Sequence, residues 1–186
     1  MLNNQLKTDL HKQQLLPIFN TTNLESDIAR LKKYLNQNKS IEYIEITLRE
    51  KESFSIAVEL KKYFSDCKFG LGSILTKEDL IRGQDHNFNF YVSPGIIEEI
   101  LEMKNSFYIP GAETVSEFIY LSKKDYEIIK FFPANLNGED KKLQSIKNIL
   151  RNIKFIPTGG VNKDNIDKYL NLKNVLCVGT SNFEEF

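Results

Sequence analysis

Residues 43–72 read YIEITLREKESFSIAVELKKYFSDCKFGLG, and the way this stretch divides decides the fold. Tyr43–Thr47 and Lys68–Gly72 are short β-type runs. Phe54 to Phe64 between them spreads Ala57, Val58 and Leu60 around a helical turn and ends in Lys61–Lys62. The two runs start 25 residues apart, which is room for one crossover helix, whereas a hairpin would need only a few residues. Parallel neighbours joined through a helix are therefore expected.

The same unit repeats in both directions along the chain. Strands are expected at Leu15–Phe19, Tyr43–Thr47, Lys68–Gly72, Phe90–Ser93, Phe107–Pro110, Ile128–Phe131, Lys154–Pro157 and Val175–Val178, with starts 17 to 28 residues apart. Leu24 to Asn38 carries an apolar stripe of Leu24, Ile28, Leu31 and Leu35. Thr76 reads as a helix cap with Glu78 and Asp79 in the first turn, and Thr114 with Glu117 makes a capping box. Leu143–Leu150 and Ile166–Leu170 supply later helices, the second capped by Asn162. No linker or composition break divides residues 1–186, so one domain is expected.

Eight strands alternating with helices imply an α/β (β/α)8 TIM barrel, with Met1–Gln14 as an extra N-terminal helix. A doubly wound open sheet is the competitor. It usually has five or six strands, and the first strand–helix turn here lacks GxGxxG. After Val178 only GTSNFEEF remains, so the eighth helix is expected to be truncated or missing. The outer face of the last strand would then need the N-terminal helix or another subunit to cover it.

Composition narrows the function class. The 186 residues carry 25 basic and 25 acidic side chains, with no net charge, which argues against the basic face of a nucleic-acid binder. Paired lysines such as Lys32–Lys33 and Lys123–Lys124 are spread over four helices and read as solvated faces. No apolar run approaches membrane-spanning length, and residues 1–14 lack the apolar stretch of a signal peptide. Cys67 and Cys177 have no metal-type spacing, and Cys177 reads as a small core residue. His11 and His86 read as isolated surface or loop residues. These features describe a soluble, reduced, cytoplasmic protein with no metal, cofactor, membrane or nucleic-acid partner.

In a barrel, chemistry sits where strands run out. Glu45 and Thr47 alternate to the same side of their strand; if that side is the interior, a carboxylate lies within, a candidate general acid or base. If not, Glu42 and Glu45 are both ordinary surface acids. Lys130 interrupts the apolar Ile128–Phe132. It either snorkels to the barrel mouth or stays dry, where its free amine can attack a ketone. Pro157–Thr158–Gly159–Gly160 and Gly179–Thr180–Ser181 end neighbouring strands with small residues, suited to an anion held by backbone N–H groups, or simply to turns.

Taken in order, LLPIF (15–19), EITLR (45–49), GLGSILT (70–76), VSPG (92–95), IPGAETVSE (109–117), KFFPAN (130–135), PTGGV (157–161) and NVLCVGTS (174–181) resemble the bacterial aldolases acting on 2-keto-3-deoxy-6-phosphogluconate and 4-hydroxy-2-oxoglutarate. That resemblance implies a metal-free class I aldolase, usually a homotrimer, which releases pyruvate from a phosphorylated keto acid. Lys130 would be the imine-forming lysine and Glu45 the proton shuttle. Arg49 and Ser73 would hold the pyruvyl carboxylate, Pro94 and Phe132 would shape the surroundings of the imine, and Thr158 would line the site. Gly159, Gly160, Gly179, Thr180 and Ser181 would cradle the distal phosphate. Glyceraldehyde 3-phosphate is the expected second product, with glyoxylate chemistry, a phosphogalactonate isomer, or a barrel that binds without turnover as alternatives. The family pattern has threonine where Ser73 stands, arginine where Asn20 stands, and glycine where Glu139 and Thr180 stand. It also implies an eighth helix beyond residue 186.

Overall fold

The stretch over 43–72 folds as a parallel unit. In the computed structural model, which describes residues 4–186, β2 (Tyr43–Thr47) leads through α3 (Ser53–Tyr63) into β3 (Lys68–Gly72). The two strands pair in parallel, with Glu45 opposite Gly70 and Thr47 opposite Gly72. Around them the chain runs α1 (Asn4–Gln13), β1 (Leu15–Asn20), α2 (Leu24–Gln37), then α4 (Lys77–Asp85), β4 (Phe90–Val92) and α5 (Glu98–Glu102). It continues through β5 (Tyr108–Ile109), β6 (Gly111–Ala112), α6 (Val115–Lys123), β7 (Ile128–Phe131), α7 (Glu139–Ile146), β8 (Lys154–Pro157), α8 (Ile166–Leu170) and β9 (Val178–Thr180). The strands form two curled parallel sheets, ordered β5-β4-β3-β2-β1-β9 and β6-β7-β8. Single parallel bridges, Phe155 with Val175 and Thr158 with Gly179, lie between β8 and the last strand.

Local chemistry sets the helix starts. The Thr76 hydroxyl accepts from Asp79 N–H while the Asp79 carboxylate takes Thr76 N–H, and Thr114 and Glu117 repeat the exchange ahead of α6. Several expected boundaries move. The strand expected over Phe107–Pro110 shortens to β5, and an unexpected strand, β6, follows Pro110, which has no N–H to give but whose carbonyl still accepts from Lys130 N at 2.9 Å. The strand expected over Val175–Val178 shifts to β9. The backbone O of Asn174 and N–H of Leu176 bond to Phe155 of β8, and regular pairing with β1 begins at Val178. The helix expected over Leu143–Leu150 is α7, which starts at Glu139 and stops at Ile146. Asn162 does not cap α8: Asn165 stands at that position, and Asn162 instead accepts from Asp164 N within the preceding turn.

Parity along each strand separates two clusters. Ile44, Ile46, Ile129 and Phe131 pack toward the helices, whereas Tyr43, Phe90, Val92, Ile109, Ile128, Ile156 and Cys177 form a second cluster on the opposite strand faces. Leu6 and Leu10 of α1 belong to the second cluster. The helix expected over Met1–Gln14 thus spans Asn4–Gln13, and Met1–Asn3 lie outside the described residues.

α1 does not cover the last strand. It lies across the N-terminal strand ends, where Lys7 pairs with Glu127 at 3.1 Å, the Tyr43 hydroxyl donates to Asp9 at 2.9 Å and His11 meets Leu176 O at 3.2 Å. Phe183, buried against Phe19 and Tyr34, packs beside β1 and α2 instead. No helix among the described residues is long and apolar enough to cross a membrane. Because Leu10 is 0% exposed, Leu10→Ala is expected to cost about 2–5 kcal/mol in urea unfolding while leaving helix propensity intact. A cost below about 1 kcal/mol would show that α1 is not part of the core.

Candidate active site

Two strands that are distant in sequence each turn one charged side chain to the face shared with the second cluster. On β7, Ile128 and Lys130 point that way while Ile129 and Phe131 point to the helices; on β2, Tyr43 and Glu45 do the same. The result is an ion pair: Lys130 Nζ donates to Glu45 Oε1 at 3.2 Å, with Glu45 1% and Lys130 6% exposed. Charges taken this far from water persist only when paired. Glu42, the other acid near β2, is exposed. Phe132 places its ring centroid 5.4 Å from Lys130 Nζ.

Lys130 reaches the floor of a cavity of about 90 Å³ lined also by Ile18, Arg49, Phe132, Thr158, Gly159, Gly160, Val161, Thr180, Ser181 and Asn182. Eight of the residues expected from sequence thus meet around one space, with Glu45 beneath it. Arg49 is exposed and has neither an ion-pair nor a hydrogen-bond partner among the described residues. Its loop is nevertheless anchored. Leu48 N–H bonds Gly72 O, and Glu50 N–H bonds the buried Ser53 hydroxyl, which in turn accepts from Thr21.

Ser73, Pro94 and Gly179 are not among the residues that line this space. Ser73 follows β3 with φ 57°, a left-handed backbone that a β-branched side chain tolerates poorly. That disfavours the threonine of the family pattern at this position. Pro94 packs its carbonyl against Gly111. Gly179 leaves room for Thr158, whose Oγ1 would lie 2.5 Å from a Cβ there.

Gly159 and Gly160 need to be glycine, since their φ values of 96° and 73° are strained for other residues. Thr180 differs from the expectation. It is buried, and its hydroxyl donates to Val161 O at 2.8 Å and accepts from Asn182 N at 3.1 Å. The single donor proton is spent on tying one loop to the other, so the side chain has none left for an anion.

Sequence reasoning missed Ile18, Val161 and Asn182 on the cavity wall and the Ser53 anchor, because nothing in their local spacing marks them. Cys177 is completely buried beside this site. Burial pushes its thiol pKa up, and the charge of Glu45 pushes the same way, so it is an inert core residue. Among the described residues no group of three or more His, Cys, Asp or Glu side chains could hold a metal ion.

Comparison with known proteins agrees on one family. The family model described as "KDPG and KHG aldolase" matches residues 6–186. A KHG/KDPG aldolase from Escherichia coli K12 is 33% identical over 144 residues, covering 76% of this chain and 68% of that one. A 2-dehydro-3-deoxy-phosphogluconate aldolase from Pseudomonas aeruginosa is 28% identical over 178 residues, covering 94% and 80%. Among solved structures, KDPG aldolase from Legionella pneumophila, with pyruvate captured as a covalent carbinolamine, superposes with a TM-score of 0.86. It is 31% identical, over 94% of this chain and 85% of that one. With a lysine–glutamate pair set under a cavity that glycine-rich strand ends enclose, and with relatives of this similarity, the chain belongs to the KDPG and KHG aldolase family.

Proposed function

We propose that this protein is a class I aldolase that cleaves 2-keto-3-deoxy-6-phosphogluconate to pyruvate and glyceraldehyde 3-phosphate through an imine on Lys130. The observation that carries the reading is the buried Lys130–Glu45 hydrogen bond of 3.2 Å at the cavity floor. Passing one proton across that bond turns an ammonium and a carboxylate into a neutral amine and acid, and the net charge of the pair stays zero. The amine attacks the C2 ketone, Glu45 assists the departure of water, and a protonated imine remains. Removal of the C4 hydroxyl proton then sends the C3–C4 bonding pair into the imine. The aldehyde leaves, and the enamine takes a proton at C3 before water releases pyruvate and regenerates the amine.

Arg49 offers an unpaired planar fork for the pyruvyl carboxylate, with the Ser73 hydroxyl beside β3 and Pro94 as supporting groups. Phe132 and Thr158 would flank the imine. Gly159, Gly160, Gly179 and Ser181 would receive the distal phosphate through backbone N–H groups, with Thr180 holding the two loops together. The fold is read as one (β/α)8 barrel domain over residues 1–186, closed by the bridges between β8 and β9 and by the Pro110 carbonyl between β5 and β7. Assembly as a homotrimer in the cytoplasm follows from family likeness. Exposed Leu75 and Leu136, at 61% and 77%, are side chains such an interface would cover.

One observation favours 4-hydroxy-2-oxoglutarate as a second substrate. The cations lining the cavity are Arg49 and Lys130, and the pyruvyl half uses both. Steady-state cleavage of the phosphorylated and non-phosphorylated keto acids tests the reading. Higher kcat/KM for the phosphorylated acid is expected, and failure to release pyruvate from either would remove the proposal. Thr180→Val keeps side-chain shape but loses both loop-tying bonds, at about 1 kcal/mol each. It is expected to raise KM for the phosphorylated acid about tenfold, with Thr180→Ser close to wild type.

A further inference from the structure

Gly72 has no backbone reason to be glycine. It ends a regular strand, pairs opposite Thr47, and is not among the residues with positive φ. A glycine in such a place weakens a strand. What it does supply is space: a Cβ built there would overlap Oε1 of Glu45 and lie 2.6 and 2.7 Å from its Cδ and Cγ. The Glu45 side chain therefore occupies the space beside the β3 backbone at Gly72. One residue pair earlier, Gly70 does the same for the ring of Phe90, again in an ordinary strand conformation.

We propose that Gly72 is a positioning residue for Glu45, whose missing side chain lets the carboxylate reach Lys130. The atoms that must yield to a new Cβ belong to the Glu45 side chain, from Cγ outward, and not to backbone, so Gly72→Ala should fold at a cost in stability. Its carboxylate would be pushed off the strand, and the 3.2 Å contact with Lys130 would open. The packing half of this inference stands alone, and the catalytic half rests on the aldolase reading.

Both halves are tested with Gly72→Ala, Glu45→Ala and the double variant. Catalysis is followed by deuterium exchange at C3 of pyruvate. In that exchange the Lys130 imine loses a C3 proton to the carboxylate, forming the enamine, and takes back a deuteron from the exchanged acid. Gly72→Ala is expected to trap pyruvate on Lys130 with borohydride yet exchange about a hundredfold more slowly. Urea unfolding supplies the second readout: Gly72→Ala should lower the unfolding midpoint when Glu45 is present and leave it level or raised in the Glu45→Ala background. An equal drop in both backgrounds, or wild-type exchange in folded Gly72→Ala, overturns the proposal. Wild-type protein that never traps pyruvate overturns the aldolase reading instead, and the unfolding comparison still decides the positioning.

Discussion

Lys130→Ala is expected to form no borohydride-stable pyruvyl adduct and to lose at least about a thousandfold in keto-acid cleavage, about 4 kcal/mol of barrier. Intact-mass analysis after pyruvate and borohydride gives the first number and a pyruvate-release assay the second. The size of the effect follows from the route. Without the amine there is no imine, and nothing else in the cavity can draw the C3–C4 electrons. Arg49 is the remaining lining cation, and it cannot form an imine. A folding defect could mimic this result, because removing one member of a buried pair leaves the other charge stranded, at about 3–5 kcal/mol. Lys130→Met with Glu45→Gln removes both charges, and it is expected to recover most of that stability while staying inactive. An adduct on Lys130→Ala, or turnover within tenfold of wild type, would place the chemistry elsewhere.

Glu45→Gln keeps the shape of the side chain and an oxygen for Lys130 to donate to, but it cannot take up a proton. A loss of about 10²–10⁴ in kcat is expected, the usual weight of a positioned acid–base group. Pyruvate should still trap on Lys130, only more slowly, and C3 exchange should fall in step with kcat. That pattern separates proton transfer from imine formation. Loss below about tenfold would mean that water or another group moves the protons, and that the 3.2 Å contact is only an ion pair.

Much of the frame was readable along the chain. β2, β3, β7 and β8 keep the limits expected of them, and the cap at Thr76 and the capping box at Thr114 both form. The misplacements share a cause. The strand expected through Pro110 stops short because its neighbours on both sides set the pairing, and the last strand starts late because residues 174–176 bond to β8 before the chain turns to β1. Neither constraint is present in the local segment.

The site divides in the same way. Alternation says that Glu45 shares a face with Thr47, and Lys130 with Ile128, but it leaves open which face is inside. Closing the strands around one another answers that, and it brings together two side chains 85 residues apart. It also sends α1 to the N-terminal strand ends, turns the Thr180 hydroxyl inward to Val161, and gives Gly72 its reason. Sequence alone determined the repeating strand–helix unit and the capped helix starts, since these depend on residues three or four positions apart. Which charges lose water, and which atoms crowd them, was decided only by tertiary structure, because burial belongs to surfaces that meet after the chain has folded.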